Sequence, residues 1–283
     1  MADACADFDE SSQVKMHTPI VLIHGWGCSG GVWESLIPYL NKYADIITLD
    51  IFYDYKNTDD CCEAIAKHLP EHCILCGWSL GGMMATRLAG LYPLKIKALI
   101  TLATNVSFVA NMQWPDAMEG DVFAAFCASF ALAPKKTLLR FLLLQVKGDV
   151  ASKKQLAYLK KHSTNDVGLL AGLEYLSVMN NTKILSEDVV CPALLVFGEQ
   201  DTLVPLSAVN KIKKMISKCQ EVVTVCGKGH VLPFIDDVDL KNMDSNDMEL
   251  NGSAMKKNND LVLILNNFLE NQAPVFYKNI VNE

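Results

Sequence analysis

The chain has 283 residues, 51% hydrophobic and 20% charged, with a net charge of −7; this suffices for one sizeable core, or a core with an inserted cap, and argues against two independent domains. The acidic balance offers no general footing for nucleic acid. The start, Met1 to Gln13, is acidic and lacks a basic segment leading into an apolar run, so neither a secretory signal nor a membrane anchor is expected, and the cytoplasm is the expected compartment.

Residues 1–18 read as a flexible extension. Ordered structure is expected from Pro19-Ile20-Val21-Leu22-Ile23, a continuous apolar run of the kind buried on both faces of a sheet. It ends in His24-Gly25-Trp26-Gly27, a sharp turn of small residues where a backbone N–H could point into a site. The Trp26 N–H is the expected oxyanion donor, and His24 is expected to be structural. Gly30 to Trp33 is predicted to open a helix reaching Leu40. Ile46 to Asp50 then reads as a second apolar strand, and Thr58 to Leu69 as a helix stopped by Pro70.

Cys73-Ile74-Leu75-Cys76 is a third buried strand, and it runs into Gly77-Trp78-Ser79-Leu80-Gly81-Gly82. Strand, G-x-S-x-G and a following run of helix formers make a nucleophile elbow, a turn that exposes the middle hydroxyl and needs small residues two positions away on each side. Ile96 to Ala103 continues the alternation of strand and helix, which implies an α/β class with a mostly parallel sheet.

From Ala103 to the strand at Ala193–Phe197 the sequence carries helix signals only. A helical cap is expected over residues 105–190, with 19–104 and 191–283 forming the core. Phe123, Phe126 and Phe130 share a helical face, and Pro134 opens a second helix carrying Leu138, Phe141 and Leu142. The ten cysteines sit singly in apolar runs or as Cys61-Cys62, without framework spacing. Reduced and mostly buried thiols are expected, with no metal and no cofactor.

After Phe197, Gly198 to Pro205 places Asp201 just past a strand's carboxyl end. A strand from Glu221 to Val225 leads to Gly227-Lys228-Gly229-His230. Ser79, Asp201 and His230 thus stand in the order nucleophile, acid, histidine, each at a strand tip. Asp236 to Asn259 is polar and reads as a surface loop before a last helix, Asp260 to Leu269.

His24-Gly-Trp-Gly, Gly77-Trp-Ser-Leu-Gly-Gly and the ordered Asp201 and His230 resemble the α/β-hydrolase superfamily. Within it, Trp78, Gln113-Trp114-Pro115, Arg140-Phe141-Leu142-Leu143-Leu144-Gln145 and Gly172-Leu173-Glu174-Tyr175-Leu176 resemble the pimeloyl-acyl carrier protein methyl ester esterases of biotin synthesis, over roughly residues 19 to 235. The resemblance implies a serine carboxylesterase acting on an ester carried by acyl carrier protein. Ser79 would be nucleophile, His230 base and Asp201 its orienter. Trp26 and Leu80 would donate backbone N–H groups, and Phe141, Leu142, Leu143, Leu144 and Gln145 would touch the acyl chain. The chain departs from the superfamily at Ile51-Phe52-Tyr53-Asp54-Tyr55, which replaces a Pro-Gly-x-Gly loop.

A carbon–carbon bond hydrolase, a general short or medium-chain esterase, an acyltransferase and a non-catalytic receptor on the same fold stay open. Charge adds one more expectation. Residues 134–165 hold eight basic side chains against Asp149, a local +7 on a chain of −7 whose remainder is therefore −14. That asymmetry suits docking of an acidic carrier, and Lys136, Arg140 and Lys153 fall where the resembled esterases carry basic docking residues.

Overall fold

The computed structural model describes residues 16–51, 53–164, 168–236 and 260–278. Its frame is a six-stranded sheet formed by β1 (Met16–Ile23), β2 (Ala44–Leu49), β3 (Cys73–Trp78), β4 (Ile96–Leu102), β5 (Ala193–Gly198) and β6 (Gln220–Val225). The order across the sheet is β2-β1-β3-β4-β5-β6, and every neighbouring pair is parallel. Parallel strands need crossovers on the faces, which is why β3 and β5 are buried along their whole length and read as unbroken apolar runs.

The first strand starts at Met16, three residues before the predicted start, and Met16 pairs with Ala44 across a register shift before Ile20. The rest of the expected extension, 1–15, lies outside the described residues, as does 237–259 of the expected polar loop. The predicted helix through Leu40 is not continuous. Gly30–Trp33 forms a 3₁₀ turn, and a separate turn of helix, α1 (Ile37–Leu40), follows with Pro38 in its first positions. Proline lacks the N–H that would bond Glu34 and its ring would meet that carbonyl, so it tolerates only a helix start.

Crossover helices α2 (Thr58–His68) and α3 (Leu80–Leu91) lie on the sheet, with Asn57 accepting the N–H groups of Asp59 and Asp60 to start α2. Between β4 and β5 come α4 (Gly120–Leu132), α5 (Pro134–Gln145), α6 (Ser152–His162) and α7 (Leu169–Val178), then a π-helical turn at Ile184–Asp188. After β5 follow α8 (Leu206–Met215) and, after β6, α9 (Leu261–Lys278), which runs past the predicted end and starts with Asp260 accepting the Val262 N–H at 2.8 Å. No helix among the described residues is long and apolar enough to cross a membrane. Cys28, Cys61, Cys62, Cys73, Cys76 and Cys191 are buried thiols, whereas Cys219 and Cys226 are exposed.

The loops after β1, β5 and β6 all touch the helices inserted between β4 and β5. Trp26 packs edge-on against Phe130 and Phe141 at centroid distances of 5.3 and 5.1 Å. Thr202 Oγ1 donates to Leu144 O, and Gly229 N–H to Asp149. The insertion therefore covers the carboxyl end of the sheet.

Candidate active site

Ser79 joins β3 to α3 with φ 54° and ψ −118°, a backbone conformation costing a non-glycine residue about 1–3 kcal/mol. The surroundings leave it no alternative. A Cβ on Gly77 would overlap Gly81 O, and a Cβ on Gly81 would overlap Ile23 O, so both positions must be glycine for the elbow to fit between β1 and β3. The Ser79 N–H donates to Leu102 O at 3.0 Å, anchoring the turn to β4.

Asp201 follows β5, and its Oδ1 accepts the N–H groups of Leu203 and Val204 at 2.8 and 3.0 Å. That fixes the carboxylate and leaves Oδ2 to meet His230 Nδ1 at 2.8 Å. His230, 1% exposed, has Nε2 3.0 Å from Ser79 Oγ. With the Nδ1 proton given to Asp201, Nε2 is the acceptor that faces the serine hydroxyl. The sheet thus brings Ser79, Asp201 and His230 into one hydrogen-bonded chain able to take a proton from a serine as it attacks a carbonyl.

The turn after β1 abuts this chain, since a Cβ on Gly25 would lie 3.2 Å from Ser79 Cβ. The backbone N–H of Trp26 donates to no acceptor among the described residues. The N–H of Leu80 opens α3, where helix geometry provides no partner. His24 is structural: Nδ1 bonds Gly25 O at 2.8 Å, Nε2 accepts the Ile51 N–H at 3.2 Å, and the ring is buried. Asp50, just past β2, accepts the Gly30 N–H at 2.8 Å.

Beside Trp26 lies a cavity of about 130 Å³ walled by Phe126, Arg140, Phe141, Leu144, Leu173 and others. Of the five consecutive residues expected to touch an acyl chain, Phe141 and Leu144 line it. Leu142 is buried but not part of this lining, and Gln145 is buried with its Nε2 meeting no partner among the described residues. Leu143 is 48% exposed. Helix geometry is the reason: at 100° per residue, 141 and 144 share a face, whereas 143 points about 200° away from 141. Of the expected docking residues, Lys136, Arg140 and Lys153 are exposed, Arg140 also reaching the cavity wall.

Comparison with known proteins matches residues 18–237 to the model of the alpha/beta hydrolase fold. The chain belongs to the α/β-hydrolase family. Among similar proteins is the pimeloyl-[acyl-carrier protein] methyl ester esterase of Nitrosomonas europaea, 31% identical over 229 residues that cover 76% of this chain and 90% of that one. The biotin biosynthesis bifunctional protein BioHC of Cellvibrio japonicus is 31% identical over 75% of this chain, which spans 44% of that longer relative. An esterase from Exiguobacterium antarcticum has a similar fold, with a TM-score of 0.69 at 14% identity, covering 91% of this chain and 93% of its own.

This hydrolase also holds its site with residues that sequence reasoning did not single out for that work. Trp78 Nε1 donates to His230 O at 2.8 Å, so the indole beside the nucleophile ties down the histidine loop. Tyr53 stacks on Tyr175 with centroids 6.3 Å apart, and the Tyr175 hydroxyl donates to Tyr55 O at 2.7 Å. The segment that departs from the superfamily pattern is therefore clamped to α7. Asp149, counted above as one acid against eight basic side chains, is 5% exposed and accepts two backbone N–H groups. Lys161 is paired to Glu34 at 2.6 Å, with Lys161 first among the groups that hold the Glu34 carboxyl below its usual range. The local charge available to a partner is correspondingly different from the sequence count.

Proposed function

We propose that this hydrolase is a serine carboxylic ester hydrolase cleaving the methyl ester of a pimeloyl chain held on acyl carrier protein, in biotin synthesis. The observation that carries the ester hydrolase reading is His230, bonded at 3.0 Å to Ser79 Oγ and at 2.8 Å to Asp201; an apolar cavity lies against Trp26 in the adjoining turn. The choice of substrate is supported by the names of relatives that are 31% identical over about three quarters of the chain.

In this reading residues 19–104 and 191–283 carry the chemistry and 105–190 act as a cap. His230 Nε2 takes the Ser79 proton as Oγ attacks the ester carbonyl, and Asp201 holds the imidazole tautomer and stabilises the imidazolium. The N–H groups of Trp26 and Leu80 meet the oxyanion, each worth about 3 kcal/mol in comparable sites. The imidazolium returns the proton to the departing methoxide, so methanol leaves and an acyl-enzyme stays. Water, losing a proton to His230, then releases the acid and restores Ser79. No residue of this sequence needs a metal or cofactor to run the cycle.

The acyl chain lies along Phe141 and Leu144. On the outside of α5, Lys136, Leu139, Arg140 and Leu143 are exposed at helical spacing, a mixed basic and apolar stripe suited to an acidic, amphipathic carrier. Lys135 and Lys136 also rim a groove of about 510 Å³ with Phe130, Leu138 and Leu169. The test compares kcat/KM for carrier-linked and free methyl pimeloyl esters. A clear preference for the carrier-linked ester is expected, and equal values would leave a general carboxylesterase.

A further inference from the structure

We propose that Asp149 is a positioning residue for the base: a carboxylate on the inserted helices that sets where the His230 loop stands relative to Ser79. The proposal rests on the serine hydrolase reading. Asp149 closes the turn between α5 and α6, where nothing in the chemistry above requires a buried acid. It is the one acidic residue of 134–165, and yet it faces inward.

Its two oxygens do different things. Oδ1 accepts the Ala151 N–H at 2.8 Å, closing an Asx turn just ahead of α6. Oδ2 accepts the N–H of Gly229, the residue before His230, also at 2.8 Å and in a buried setting. A hydrogen bond to a charged acceptor is about twice as strong as a neutral one, and it acts one residue from the imidazole. On its other side the loop presses on the end of β5, where a Cβ on Gly198 would overlap Gly229 O, and Trp78 holds the His230 carbonyl.

The same turn reaches the acid's loop. Gly148 takes φ +89°, and a Cβ there would be 3.1 Å from Gln200 O, next to Asp201. Gln200 N–H in turn donates to Lys228 O at 2.8 Å. One turn of the insertion therefore bears on both loops whose side chains must meet Ser79, and Asp149 is its polar link to the base.

Two variants separate positioning from the local turn. Asp149→Asn keeps an oxygen for Ala151 but turns an NH₂ group toward the Gly229 N–H, and Asp149→Ser keeps a turn-forming oxygen while being too short to reach Gly229. With a p-nitrophenyl ester, both are expected to lose about tenfold in kcat with little change in KM, because a misplaced catalytic group costs rate rather than binding. The pH dependence of kcat/KM should shift, and the downfield proton resonance of the His230–Asp201 bond should broaden, whereas the unfolding midpoint should move by only a few degrees. Wild-type kcat and pH profile in folded Asp149→Asn and Asp149→Ser would overturn the proposal, as would failure of both to fold, which would make Asp149 a folding determinant. Wild-type protein that a fluorophosphonate does not label at Ser79 would instead sink the hydrolase reading itself.

Discussion

The strand tips and the inserted helices solve opposite problems. At the tips, backbone constraint decides everything: Ser79 is forced into its conformation by glycines that admit no side chain, and Asp201 is fixed by two N–H groups before it meets His230. On the insertion, side-chain alternation decides. α5 turns Phe141 and Leu144 inward while Leu139, Leu143 and Lys136 face solvent. A rigid parallel sheet suits chemistry that tolerates no displacement, and an amphipathic helix suits recognition, because its two faces can contact different partners.

The sharpest break would come at the strand tips. Ser79→Ala should leave a folded protein with activity lower by several orders of magnitude, and Asp201→Asn should lose about 10⁴ in kcat through the wrong imidazole tautomer. Steady-state kinetics beside thermal unfolding checks both, and wild-type activity in Ser79→Ala would end the mechanism.

On the insertion, effects should be smaller and substrate-dependent. Phe141→Ala removes apolar surface from the cavity and should raise KM for a pimeloyl ester about tenfold, with less effect on an acetate ester. Equal effects on both would make Phe141 plain core, a reading that its packing on Trp26 and Phe126 would also fit.

Reversal of Lys136, Arg140 and Lys153 to Glu together should slow hydrolysis of the carrier-linked ester severalfold at low salt and spare a small soluble ester, and added salt should mimic the change. An unaltered carrier-linked kcat/KM would remove the docking claim and leave the esterase. The smallest effect separates the two faces of α5: Leu143→Ala should leave small-ester kinetics within about twofold, since surface changes outside a site rarely exceed half a kcal/mol, while weakening the carrier-linked reaction.

Much of the frame is legible in the sequence. The buried strands announce themselves because both faces of a parallel sheet are covered, leaving no polar alternation to confuse with a loop. The elbow is legible because its glycines answer a local steric demand, and the chain order of Ser79, Asp201 and His230 follows from strands that end at one edge. His24 is readable as structural only in part for the same local reason: Nδ1 bonds the carbonyl of the next residue, but Nε2 meets Ile51 N–H, 27 residues on. Along α5 the residue types are legible but their division is not, because a run of five candidates must be split by a helix phase that only its packing sets.

What the sequence determined by itself is therefore the local part: the strands, the strained serine turn, the helical nature of the insertion and the types of side chain it offers. Tertiary structure alone decided that Leu143 faces out, that Tyr53 and Tyr55 hold α7, and that Asp149 turns in to a loop 80 residues away while Trp78 reaches a carbonyl 152 residues away. These are hydrogen bonds and packing contacts between distant segments. A carboxylate in a lysine-rich stretch carries no mark of a distant N–H partner until the sheet and the helices above it are assembled.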